Sequence, residues 1–345
     1  MPDTIRLITP ADLAQFGITF SHVGPRPPLT VLFRVAPDYR NPYSQQTSVG
    51  IEHEFRDGWS ASLNYLFAST RRITRARDIN LLPAPIGPLG IRDWSTAPGH
   101  PCAGAAVLNC FRDPLLLQEN QYESTARAFY HGMIIEVTKR LSRGWSLAGN
   151  YTLSKSIDEV TDFNSDFQAN DQTDTRAEQS LSPFDQRHKV VIYGSYQSPF
   201  RMGHGNSVIK NLLADFLLTP IVRANSARPF SLLAGTDLNG DRHNTTDRPV
   251  GVGRYTGIGP NFWSVDVRVA RRFRLGLEQR NLELSFEAFN LFNRLNYATV
   301  NNTVGPEFQS TSNVHARKDL LPSDPLAYTS AFDPRRIQLG LRLNF

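Results

Sequence analysis

The feature that most constrains the fold is a two-residue alternation of apolar and charged side chains near the end of the chain. In residues 265–277 the odd positions are apolar apart from Arg271, and the even positions carry the charges Asp266, Arg268, Arg272 and Arg274. Residues 282–288 alternate in the same way after a short connection. Because a repeat of two places successive side chains on opposite faces of a strand, these segments predict a β-hairpin.

The polar face of this hairpin carries charges of opposite sign that can face each other across the two strands. Residues 335–345 repeat the pattern and end on Phe345. Strands of about ten residues with one apolar and one polar face are typical of an outer-membrane β-barrel, in which the polar face lines the lumen. The predicted lumen charges are Arg268, Arg272, Glu283, Glu287 and Arg342.

Composition favours strands and excludes two other classes of protein. The chain has no run of about 18 apolar residues, so it contains no transmembrane helix. Its 21 Phe, 11 Tyr, 23 Gly and 23 Pro suit strands joined by turns. The net charge of +5 includes no basic run interleaved with aromatic residues, which argues against a nucleic-acid partner. The first ten residues lack a signal peptide, so either the true start lies upstream or the chain is a piece of a longer protein.

Short turns alternate with long polar connections along the chain. The turns lie near residues 57–58, 142–144, 203–206 and 276–280, and the long connections span 71–121, 157–185, 234–260 and 297–334. This predicts about ten or eleven antiparallel strands, including weak candidates at 16–23 and 29–36. If Phe345 ends at the periplasmic rim, all short turns fall there and all long loops lie outside.

Two similar segments, 56–67 and 142–153, support this arrangement. Each follows a turn and places a tryptophan, Trp59 or Trp145, at the membrane edge. Aromatic rings favour that interface because their body is apolar and their tip is polar. The alternative is an exposed Trp on the hairpin of a β-sandwich.

Cys102 and Cys110 lie in the first long connection, which we expect to be exposed. In an oxidising compartment they predict a small disulfide ring, and the alternative is two free thiols. Zinc is disfavoured because a tetrahedral site needs four ligands and only His100 lies nearby.

Residues 237–249 contain alternating oxygen ligands. Asp237, Asn239 and Asp241 match the first three ligand positions of a calcium loop, and Asp247 follows. However, Arg242 and Arg248 stand where such a loop carries its glycine and its bidentate glutamate. A calcium site is therefore one hypothesis, and a loop rich in side-chain-capped turns is the other. No other cofactor is predicted.

Other polar residues give weaker signals. An acidic stretch is expected to be a solvated loop: Asp158, Glu159, Asp162, Asp166, Asp171 and Asp174. His188, which follows Asp185, is assigned a structural role rather than proton transfer. The chain lacks the motifs of a nucleophile elbow, a zinc protease or a phosphate loop, so we predict that it is not an enzyme.

Several short motifs occur together in a characteristic order. They are NYTLSKSID at 150–158, SPFDQRHK at 182–189, ARPF at 227–230, DLNGD at 237–241 with DRP at 247–249, EAFNLFN at 287–293 and QLGLRL at 338–343. In this combination the chain resembles TonB-dependent outer-membrane receptors, and within them the Oar-like group that carries a carboxypeptidase-regulatory-like domain. The resemblance covers nearly the whole chain from about residue 38.

The resemblance implies a barrel of about 22 strands, occluded by a plug, that imports a solute with energy from TonB. Residues 1–345 are then the C-terminal half of that barrel, without plug or signal peptide, in the outer membrane of a Gram-negative-type bacterium. The implied partners are outer-membrane lipid, the upstream barrel half and plug, TonB and the barrel assembly machinery. The alternatives are a structural or adhesive outer-membrane barrel and a secreted β-sandwich binding module.

Overall fold

The computed structural model describes residues 30–160, 162, 168–201, 208–275, 280–310 and 313–345. The predicted strand at 16–23 and the turns at 203–206 and 276–279 lie outside these ranges. The described chain is built mainly from antiparallel strands, and 11 of them form one sheet. None of the helices in the described ranges is long and apolar enough to span a membrane.

The strands are β1 (Thr30–Val35), β2 (Tyr43–Glu54), β3 (Trp59–Asp78), β4 (Leu116–Ser142), β5 (Trp145–Asp158), β6 (Ser180–Leu181), β7 (His188–Gln197), β8 (Phe216–Asn225), β9 (Pro229–Phe230), β10 (Gly257–Ile258), β11 (Phe262–Arg274), β12 (Asn281–Phe289), β13 (Tyr297–Val300), β14 (Val314–His315), β15 (Tyr328–Ala331) and β16 (Arg336–Asn344). The α-helices are α1 (Val107–Cys110) and α2 (Val208–Leu212), and short 3-10 helices cover Arg56–Gly58, Gly104–Ala106 and Thr175–Glu178.

The wall of the barrel is a continuous antiparallel path in the order β16, β12, β11, β8, β7, β5, β4, β3, β2. Chain neighbours along this path pair with each other, and short and long connections alternate as predicted, except that the connection between β7 and β8 is not a short turn. In the described residues β2 pairs only with β3, and β16 pairs only with β12. Within the described ranges the wall therefore ends in two strand edges.

The faces of the wall are inverted relative to a water-soluble sheet. On β16 the apolar residues Leu339 and Leu341 are 78% and 71% exposed. The other face of the sheet is charged. On β12 it carries Glu283, whose side chain is only 12% exposed because Arg268 and Arg272 form ion pairs with it. An apolar outer face with a charged inner face is the arrangement that lipid requires.

Aromatic side chains mark both ends of the apolar face. At the short-turn end the rings of Trp59 and Trp145 meet edge to face at 5.8 Å. At the other end Tyr65 Oη lies 2.8 Å from His131 Nδ1. The nine residues from Trp59 to Phe67, which packs on His131, extend about 26 Å along the strand. At a strand tilt of about 40° this is roughly 20 Å of height, comparable with the apolar band of such barrels.

The structure corrects the predicted limits of several elements. The strands β3 and β4 continue to Asp78 and from Leu116, so the first long connection is 79–115 rather than 71–121. The apolar alternation stops at residue 70 because the strands leave the bilayer there, while their backbone pairing continues. Helix α2 makes the connection between β7 and β8 longer than predicted. The candidate at 29–36 does form β1, but it pairs in parallel with the start of β4 instead of extending the wall.

Arg271, the exception in the apolar face of β11, lies close to the short-turn end. Its guanidinium packs on the rings of Phe216 and Phe273, and Nη2 donates to the carbonyl of Asn211 at 2.7 Å. A long basic side chain can keep its charge at the interface while its stem covers apolar surface. The exception therefore agrees with a lipid-facing strand.

Candidate functional site at the loop end

The long connections 79–115, 159–187 and 226–261 pack together beyond the wall, and we call this region the loop end. Its apolar core is small and comes from the first connection: Leu81, Ala84, Trp94, Cys102, Cys110 and Phe111. Around this core lie buried polar residues. Asp78, which is 0% exposed, accepts the backbone N–H groups of Asn80 and Glu119 at 2.9 Å each. Its second carboxylate oxygen lies 3.3 Å from His243 Nε2 in the third connection.

Buried ion pairs fix the second connection in place. The carboxylate of Glu159 forms ion pairs with the guanidinium groups of Arg75, at 3.2 Å, and Arg127, at 2.6 Å. Arg248 of the third connection donates to both oxygens of Glu178, at 2.7 and 3.0 Å. Since paired charges with two parallel hydrogen bonds are the strong ones, these contacts hold the connections at fixed positions.

The expectation of a solvated acidic stretch is therefore wrong for part of it. Asp158 is buried against Arg254, and Glu159 is 4% exposed in its two ion pairs. Burial lowers the pKa of Arg254 to about 10. Asp171 keeps a half-exposed contact with Arg92 at 3.2 Å. Asp166 lies outside the described residues.

The two cysteines are joined in a disulfide, with their Cα atoms 5.9 Å apart. The expectation that this part of the chain is exposed is wrong, because Cys102 and Cys110 are 0% and 1% exposed within the apolar core. Trp94 in the same core donates its backbone N–H to the carbonyl of Asn239 at 2.5 Å. The disulfide and the 237–247 segment therefore belong to one packed unit.

The predicted oxygen ligands of that segment come together, and most of them are buried. Asp237 remains exposed and accepts the N–H groups of Gly240, at 2.7 Å, and Arg242, at 3.0 Å. Asp241 and Asp247 are 0% and 1% exposed. Burial, followed by the charge of Asp247, raises the pKa of Asp241 well above its usual range, and burial raises that of Asp247 to about 6.

The predicted lumen charges pair across β11 and β12. Arg268 contacts Glu283 and Glu287 at 2.9 Å each, and Arg272 contacts Glu283 at 3.3 Å. Arg342 on β16 lies directly opposite Glu283 in the register. Phe345 is 96% exposed at the end of the chain.

A cavity of about 940 Å³ opens on the lumen face where β7, β8, β11 and β16 meet the loop end. Its charged lining consists of Lys189, Arg223, Arg228, Arg336, Asp266 and Asp333. Arg223 pairs with Asp266 at 2.6 Å, and Arg336 pairs with Asp333 at 3.3 Å. Lys189 and Arg228 have no acidic partner among the described residues, so the lining carries an excess of positive charge.

Sequence reasoning missed the uncharged members of the loop end. Asn80, Asn120, Gln168, Gln172 and Trp94 are all nearly or completely buried. Asn120 lies within β4 and the other four lie in irregular segments, and no spacing rule marks any of these single residues. His188 Nδ1 lies 2.8 Å from Tyr151 Oη on the outer face of the wall, and the structural role of His188 stays a prediction.

Comparison with known proteins agrees with this geometry. The family described as outer membrane beta barrel domain matches residues 7–256 and 250–338. The chain belongs to this outer-membrane β-barrel family. The match confirms the predicted fold class and places the chain in the outer membrane. No curated protein sequence matches it.

Solved structures of outer-membrane receptors and transporters resemble this barrel chain at low identity. The pyoverdine outer membrane receptor FpvA of Pseudomonas aeruginosa PAO1 is 14% identical over 88% of this chain and 30% of its own, with a TM-score of 0.45. The outer membrane transporter YddB of Escherichia coli is 10% identical over 78% and 31%, with a TM-score of 0.48. The ferric-catecholate import receptor Fiu of Escherichia coli K12 is 12% identical over 89% and 28%, with a TM-score of 0.43. The chain spans about three tenths of the length of these proteins.

Proposed function

We propose that this chain is a barrel portion of a TonB-dependent receptor that binds a solute at the loop end and passes it into the lumen for import. The observation that carries the proposal is the cavity of about 940 Å³ where the loop end meets the lumen face. A receptor needs such a site on the outer side of the membrane, with polar groups that fix the orientation of the solute. The sequence motifs shared with TonB-dependent receptors support the energy coupling.

We further propose that the solute is anionic. The cavity lining includes Lys189 and Arg228, whose charges are not balanced by acidic partners among the described residues. A surface with an excess of one sign raises the local concentration of oppositely charged solutes and speeds their association. An anionic metal chelate is one class of solute that fits this charge.

Capture of TonB tests the coupling without knowledge of the solute. The full-length protein in detergent micelles is mixed with the purified periplasmic domain of TonB and pulled down. The proposal predicts capture of TonB, together with negligible conductance of the protein in planar bilayers because a plug fills the lumen. No capture with a steady open-channel conductance would instead support the alternative of a barrel without active transport.

A further inference from the structure

The 237–247 segment places a left-handed residue at the position where a calcium-binding loop carries its glycine. Arg242 stands at the sixth position, which calls for a sharp turn, and its φ is 71°, in the left-handed region. That conformation is unfavourable for a residue with a side chain. Contacts of the side chain offset this cost: its guanidinium lies 4.1 Å from the ring centre of Phe111, and Nη1 donates to the carbonyl of Leu116 at 2.7 Å.

The same segment contains buried carboxylate oxygens that no donor satisfies. Asp241 Oδ1 accepts the N–H of His243 at 2.9 Å, and Asp247 Oδ2 accepts the N–H of Leu238 at 2.5 Å. The other oxygens, Asp241 Oδ2 and Asp247 Oδ1, are buried without a hydrogen-bond partner among the described residues. Leaving two carboxylates in this state is costly, because each loses water and gains no counter-charge.

We propose that residues 237–247 bind a calcium ion, with the carboxylates of Asp241 and Asp247 as the central ligands and the side-chain oxygen of Asn239 beside them. A divalent cation supplies the missing partner of both buried oxygens and removes the repulsion between the two acids.

The donor set selects calcium over other metals. Every ligand is an oxygen, and calcium takes six to eight of them from carboxylates, amides and backbone carbonyls in a flexible arrangement. Within the described ranges no three His, Cys, Asp or Glu side chains gather as a metal ligand set, so the site offers two carboxylates together with amide and backbone oxygens, which suits calcium better than zinc. The adjacent His243 is also engaged, since Nδ1 lies 3.2 Å from Gln118 and Nε2 lies near Asp78.

Calcium at this point holds all three connections of the loop end together. The backbone carbonyl of Asn239 accepts a hydrogen bond from the backbone N–H of Trp94 in the first connection. The side-chain amide of Asn239 donates to the carbonyl of Asn170 in the second connection, at 2.8 Å. Gly240 packs so closely that an added Cβ would lie 2.3 Å from the backbone nitrogen of Ser95. The ion therefore rigidifies the outer surface of the proposed receptor without entering its solute cavity.

Terbium luminescence tests the site directly. Terbium can replace calcium in such sites. The indole of Trp94, whose backbone contacts Asn239, can transfer excitation energy to a bound terbium ion and so sensitise the terbium emission. The full-length protein in detergent micelles is expected to give a saturable terbium signal that calcium displaces. Asp241→Asn and Asp247→Asn keep the shape of each side chain, remove its charge, and should weaken terbium binding by at least about tenfold. Asp319→Asn, an exposed acid paired with Arg317 outside the segment, is the matched control and should bind as the wild type does.

Limited proteolysis of the wild type supplies a readout that does not depend on the variants. We expect about 1 mM calcium, a concentration suited to extracellular sites, to protect the loop end from cleavage and EDTA to remove the protection. A terbium signal that is absent, or equal in Asp241→Asn, Asp247→Asn and Asp319→Asn, would overturn the proposal. Cleavage that is unchanged by calcium would overturn it as well.

Discussion

The wall and the loop end bury opposite kinds of side chain. In the wall the apolar residues point outward, as Leu339 and Leu341 do, and charges such as Glu283 point into the lumen. In the loop end the polar residues are the buried ones, and Asp78, Asn80 and Asp241 are each 0% exposed. The surface of the wall is thus suited to contact with lipid, and the surface of the loop end is suited to contact with water.

The contrast shows that two different kinds of interaction hold one chain together. The wall depends on backbone pairing, because lipid offers no substitute for a missing hydrogen-bond partner. The loop end depends on side-chain ion pairs and hydrogen bonds between segments that are far apart in sequence, such as Arg248 and Glu178. Perturbations of the two regions should therefore have separable effects.

The largest expected effect comes from the unpaired edges of the wall. Because β2 and β16 each have one partner in the described residues, we expect residues 1–345 expressed alone to aggregate or stay unfolded in detergent. Supplying the upstream barrel half of the proposed receptor should restore heat-modifiable, protease-resistant folding. A monodisperse, protease-resistant monomer of 38.7 kDa from this chain alone would show that it forms a small complete barrel.

Breaking a buried ion pair should open the loop end and leave the wall intact. Glu178→Ala removes the partner of Arg248, whose side chain is 10% exposed, and leaves a buried charge unpaired. The local free energy of opening should fall by about 3 to 5 kcal/mol. Hydrogen exchange of the full-length protein would show faster exchange in 159–187 and 226–261 and unchanged exchange in β11 and β12. Asp319→Asn, at an exposed pair, should change neither region.

These two regions also differ in how far the sequence predicts them. The wall follows a local rule, since alternation alone identified β11, β12 and β16 and the pairing of Arg268 and Arg272 with Glu283. The rule fails for the outer parts of β3 and β4, because no lipid imposes an apolar face there. The loop end follows no local rule. Its contacts, such as that of Asp78 with His243, join residues whose proximity the fold alone decides.

A charge on the apolar face of the wall should cost nearly as much as a broken ion pair, and the same charge on the lumen face should cost little. Leu284→Arg, Leu339→Arg and Leu341→Arg are each expected to lose about 2 to 4 kcal/mol near the bilayer midplane. Ser285→Arg and Gln338→Arg, on the lumen face, are the matched controls. Folding titrations of the full-length protein into lipid vesicles measure the difference. Equal penalties on both faces would contradict the inverted wall.

The smallest expected effect is loss of the disulfide. Closing the short ring between Cys102 and Cys110 stabilises the loop end by about 2 to 3 kcal/mol in the chain-entropy account, and the wall has no part in that ring. Reduction should therefore increase proteolysis within 79–115 without shifting the heat-modifiable band. Non-reducing mass spectrometry should show the linked peptide, and free alkylatable thiols after growth in air would refute the pairing.

The central claim is that one face of the wall contacts lipid and the other contacts water, and spin-label accessibility along β16 tests it most directly. Single cysteines are introduced at 338 to 343 in the full-length protein, in a background without Cys102 and Cys110, and labelled in lipid vesicles. Labels at 339, 341 and 343 should be accessible to oxygen, which partitions into lipid, and labels at 338, 340 and 342 to a water-soluble nickel chelate. Accessibility to the chelate at all six positions, without a two-residue period, would contradict the account.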